Sequence, residues 1–159
     1  MRWSWMVLCF AVACGSGEPN VEDAANTAMA AGDFGVAMDK ASAGLESARA
    51  SGDRAAVWRL EMIVLEAMAR SGQGALIVAE LDRLSTDYDK QVNAKLYLSL
   101  GSHAKSAGDT NGAIELWASG DKKYPAESAL FKREIEALQS AGTLDPAELE
   151  KLKTLGYIQ

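Results

Sequence analysis

Residues 94–127 read AKLYLSLGSHAKSAGDTNGAIELWASGDKKYPAE, and the fold turns on them. Their large apolar residues, Tyr97, Leu100 and Trp117, fall where two helices would face one another. Their small ones, Gly101, Ala104, Ala113 and Gly120, fall where the two backbones would need to touch. Gly108-Asp109 supplies a tight turn between the helices, because glycine takes a left-handed backbone without steric cost. Pro125 closes the second helix, since the residue before a proline is pushed out of the helical region.

Toward the N-terminus, Gly-containing turns at Gly32-Asp33, Gly52-Asp53 and Gly72-Gln73 punctuate further Ala-rich runs. The turns divide the chain into predicted helices over 21–31, 34–50, 54–71, 75–86, 91–107, 111–123 and 126–141. No stretch alternates strictly between apolar and polar residues, as a half-buried strand would. Asp145-Pro146 opens one more helix running through Leu155, with Asp as a favoured N-cap and Pro pre-shaped for the first helical position. Few prolines and many alanines agree with an all-α fold.

Tyr97, Leu100, Gly101, Ala104, Gly108, Ala113, Trp117, Gly120 and Pro125 together resemble the tetratricopeptide repeat, a 34-residue helix–turn–helix unit. The resemblance implies a solenoid of antiparallel helix pairs over residues 21–142, with 143–159 forming a C-terminal capping helix and tail. Gly32, Gly72, Gly108 and Gly142 mark equivalent points at spacings of 40, 36 and 34 residues, so the array is irregular toward its N-terminal end. The first unit keeps Phe34, Ala37 and Gly44 of the second-helix signature but has only Val21 where its first helix should carry a large residue. The second unit places bulky Leu65 and Ile77 at usually small positions, which predicts a wider helix spacing there. In the last helix, Leu149, Leu152 and Leu155 are expected to cover the open end of the stack.

Residues 1–13, MRWSWMVLCFAVA, stand apart. Arg2 precedes an apolar run from Met6 to Ala13, far shorter than the roughly 20 residues a spanning helix needs, which reads as an export signal. Ala11-Val12-Ala13-Cys14-Gly15 is similar to the lipobox of bacterial lipoproteins, with Ala11 where Leu is usual. That likeness implies lipidation of Cys14 and anchoring to the bacterial envelope, with the periplasmic face of the outer membrane favoured by Gly15. Cys9 lies inside the signal, so cleavage leaves Cys14 without a disulfide partner. Residues 14–20 read as a flexible tether, and the six from Gly15 to Asn20 could extend at most about 20 Å.

The net charge of −6 speaks against nucleic acid, whose non-specific binding needs a basic face. His103 is the single histidine and has no nucleophile or metal partner at a recognisable spacing. Asp87, Asp89, Gln91 and Asn93 alternate like a calcium loop, but Val92 and Leu98 stand where that loop requires Gly and Glu. No phosphate loop, nucleophile elbow or zinc-protease motif is present, so neither enzyme chemistry nor a cofactor is expected.

The repeat register instead singles out the inner face of the first helices. It places there Arg59, Met62, Glu66 and Arg70 from the second unit, Lys95, Leu98, Ser102 and Lys105 from the third, and Lys132 and Glu136 from the fourth. Five basic residues against two acidic ones, in an acidic protein, suit an acidic peptide segment of another envelope protein. The expected role is a lipid-tethered scaffold or assembly factor. An envelope spacer without a groove ligand, or an accessory subunit of an enzyme complex, are the competing expectations.

Overall fold

The computed structural model describes residues 20–159. All regular structure among them is helical: α1 (Val21–Ala31), α2 (Phe34–Ser51), α3 (Arg54–Arg70), α4 (Gly74–Asp87), α5 (Ala94–Ser106), α6 (Thr110–Lys123), a 3-10 turn (Pro125–Glu127), α7 (Ser128–Ala141) and α8 (Pro146–Thr154). Residues 1–19, and with them the signal, Cys14 and most of the tether, lie outside the described residues.

The glycine turns form as their chemistry demands. Gly32, Gly52, Gly72, Gly108 and Gly142 all have positive φ, between 65° and 84°. Two helix starts differ from the sequence expectation by more than one residue. Gln91 and Val92 belong to a turn, because Asn93 caps α5 by accepting a hydrogen bond from the Leu96 N–H at 3.2 Å. Pro125–Glu127 is wound as a 3-10 turn before α7 begins at Ser128.

The stretch 94–127 folds into a close-packed helix pair. Trp117 is fully buried between α5 and α6, and its indole N–H donates to the Leu98 carbonyl at 3.3 Å. A methyl group on Gly101 would lie 2.2 Å from Trp117 Nε1, and one on Gly120 would lie 2.4 Å from the Phe131 ring. Glycine at these two positions is therefore what lets α5, α6 and α7 close on their aromatic residues.

Elsewhere α1 packs on α2, α2 on α3, and α6 on α7, while α3 also touches α1 and α5. The second unit departs from this pattern. Leu65 and Ile77 are buried, yet α4 shares more of its length with α6 than with α3. Its start approaches the start of α6 so closely that a methyl on Gly74 would sit 2.8 Å from the Gly112 Cα. Bulk on the α3 side and bare backbone on the α6 side explain the shift.

The last helix packs on α6. Of the three leucines expected to cover the stack only Leu152 is buried, while Leu149 and Leu155, the latter just past the helix, are 38% and 45% exposed. Polar latches hold α8 and the tail instead: Lys151 pairs with Glu115, and the Tyr157 hydroxyl donates to Asp121 Oδ2 at 2.7 Å. A capping box starts the helix, with the Asp145 carboxylate accepting from the Glu148 N–H and the Glu148 carboxylate from the Asp145 N–H, both at 2.8 Å.

Candidate functional site

Of the residues singled out on α3 and α5, Glu66 and Arg70 lie where those helices touch, facing His103, which stands outside the predicted set. Glu66 on α3 is the junction: its carboxylate pairs with the Arg70 guanidinium, Nη2 at 2.7 Å, and His103 Nε2 of α5 lies 3.8 Å away. Around this junction α3, α5 and the start of α2 enclose a pocket of about 330 Å³ lined by Phe34, Arg70, His103, Ser106 and Ala107. Phe34 was read only as a repeat-signature residue and Ser106 carries no charge or motif, so only the folded arrangement reveals their part in it.

The other predicted residues fall into three groups. Arg59 is exposed but already engaged, its Nε donating to both oxygens of Glu22 on α1 at 2.9 Å. Met62 and Leu98 are half-buried and pack against the core, so they present only an edge to a partner. Ser102 donates to the Leu98 carbonyl of its own helix at 2.9 Å. Lys95 and Lys105 on α5, and Lys132 on α7, are exposed and make no hydrogen bond or ion pair among the described residues.

The fourth-unit residues sit apart from the rest. α7 packs on α6, and neither Lys132 nor Glu136 is joined to α5 by a hydrogen bond or ion pair. The charge surplus of the face, after Glu22 and Glu66 have answered Arg59 and Arg70, therefore rests on Lys95 and Lys105. Mobile lysine side chains in water favour attraction and steering over rigid recognition.

No group of three or more His, Cys, Asp or Glu side chains is placed to share a metal ion among the described residues. His103 faces the carboxylate of Glu66 and makes no hydrogen bond to a hydroxyl group among those residues. No helix among them is long and apolar enough to cross a membrane.

Sequence reading missed Glu61. It lies in the middle of α3, is 4% exposed, and its Oε1 accepts from Arg49 Nη2 of α2 at 2.6 Å and from Arg83 Nη2 of α4 at 2.9 Å. A buried carboxylate needs such partners to be tolerated at all. They lie 12 and 22 residues away in sequence, so no local spacing announces them. Compared with known protein families, with curated proteins and with solved structures, the chain matches none.

Proposed function

We propose that the chain is a lipid-anchored scaffold or assembly factor of a bacterial envelope, and that it binds an acidic peptide segment of another envelope protein across α3 and α5. In this reading the helix pairs form an antiparallel, tetratricopeptide-like solenoid whose first helices line its inner side. The observation that carries it is the row α1–α3–α5, in which α3 touches both neighbours and Glu66 bridges Arg70 and His103. In this reading Lys95 and Lys105, exposed and without an ion pair among the described residues, remain free for a partner's carboxylates. Arg59 and Arg70 border it, held in place by their own acidic partners.

Anchoring rests on the sequence of residues 1–14. A diacylated Cys14 would supply about 0.8 kcal/mol per buried methylene, enough with two chains for stable attachment. Cys14→Ser is expected to move the protein from the membrane to the soluble fraction after cell fractionation. Retention of the serine variant on the membrane would rule out the lipid anchor.

A further inference from the structure

Three of the six arginines among the described residues line one pocket: Arg49 at the end of α2, Arg54 at the start of α3 and Arg83 on α4. The pocket measures about 250 Å³, and Val57, Leu84 and Tyr88 complete its wall. It shares no lining residue with the α3–α5 face, so a ligand here is independent of a peptide partner there.

Each guanidinium is held in place beforehand. Buried Glu61 fixes Arg49 and Arg83 through a single oxygen, and Arg83 Nε also donates to Glu80 at 2.8 Å. Arg54 Nη2 donates to the Asp87 carbonyl at 2.6 Å, with its guanidinium 5.1 Å from the centre of the Tyr88 ring. The Tyr88 hydroxyl in turn donates to the Arg54 carbonyl at 3.1 Å. A guanidinium carries five N–H donors. These contacts occupy one nitrogen of Arg49, one of Arg54 and two of Arg83.

The pocket is thus rich in fixed donors and poor in acceptors. Its acidic groups are Glu61, already committed to two arginines, and Asp87, whose carboxylate takes no hydrogen bond among the described residues. Glu80 stands on Arg83 but does not line the pocket. A ligand that only accepts hydrogen bonds, and can accept several at once, matches this arrangement.

We propose that the Arg49–Arg54–Arg83 pocket binds an oxyanion, a phosphate or a carboxylate group. Arg54 grips it together with the donors that Arg49 and Arg83 retain. Asp87 opposes the anion and so sets the affinity from the other side.

The test is calorimetric titration of the purified protein at constant ionic strength. One arm uses inorganic phosphate; the other uses triglycine with a free C-terminus beside its amidated form. Saturable binding of phosphate, or of the free-acid peptide over the amide, is expected, and the arm that binds identifies the source of the oxyanion. Arg54→Gln leaves the Glu61 clamp intact and should weaken binding about tenfold, the loss of one charge-assisted contact. Asp87→Asn should tighten it severalfold. Both variants are checked for native helicity by circular dichroism, and the Asp87 variant decides the matter if the Arg54 variant does not fold. No saturable binding in either arm, unchanged affinity in Arg54→Gln, or unchanged or weaker affinity in Asp87→Asn overturns the proposal.

Discussion

At Asp109 one carboxylate serves two helices. Its Oδ1 accepts from the Gly112 N–H of α6 at 2.8 Å, and its Oδ2 accepts from the Gly74 N–H of α4 at 2.7 Å. Gln73, which precedes α4, offers no side-chain cap of its own. Both helix starts carry unpaired N–H groups and a partial positive charge, so the shared carboxylate is favourable twice. Asp109→Ala should cost about 2 kcal/mol, roughly one per cap, in urea unfolding. A loss of only about 1 kcal/mol would mean that the α4 contact contributes nothing. Gly101→Leu should cost about 1–3 kcal/mol by driving a side chain into the Trp117 indole. The small-and-large pairing behind that prediction was legible, because Gly101 and Trp117 sit at fixed offsets around one turn. The second role of Asp109 was not, since Gly74 lies 35 residues away and meets it only after α4 has docked on α6. Glu61 was hidden for the same reason, as one acid inside an apolar helix whose partners lie on two others.

Element boundaries were legible wherever a local signal ends or starts a helix, as at the positive-φ glycines and at Asp145-Pro146. The expected start of α5 ran early because Gln91 and Val92 suit a helix, while Asn93 accepts the N–H of Leu96 and fixes the boundary. What α4 packs against, and what α8 does with its leucines, depended on shape across the core and could not be read from spacing. At α8 the tail is tied by Tyr157. Burial, reinforced by the hydrogen bond to Asp121, raises the pKa of this phenol well above its ordinary 10.0, and burial also raises those of Tyr97 and Tyr124. The unfolded chain then loses these protons first. The stability they contribute is complete below pH 10 and is lost as pH rises through the folded-state values. Tyr157→Phe should cost about 1.5 kcal/mol at neutral pH, the hydrogen bond to a charged acceptor, and should flatten the alkaline fall. Urea unfolding across the alkaline range checks both. An alkaline limb as steep in the variant as in the wild type would mean that Tyr157 does not tie the tail.

Across the whole molecule, the all-helical class followed from Ala-rich runs between glycine turns, and those runs formed helices close to where they were expected. The proposed binding face was less legible. The register from 94–127 named Glu66 and Arg70 but not His103, the α5 residue that faces Glu66, and it could not say which charges would be spoken for. Glu22 takes up Arg59, and α7 sits on α6, which leaves Lys95 and Lys105 as the charges on which the proposed recognition rests. Exposed lysines act through long-range attraction, so capture should weaken steeply with salt. The decisive experiment is capture of envelope proteins by the wild type and by the Lys95→Glu/Lys105→Glu variant, at low salt and with native helicity verified for both. The charge-reversed protein is expected to lose the partner that the wild type retains. Equal capture by a folded double variant would show that the α3–α5 face does not bind through these lysines.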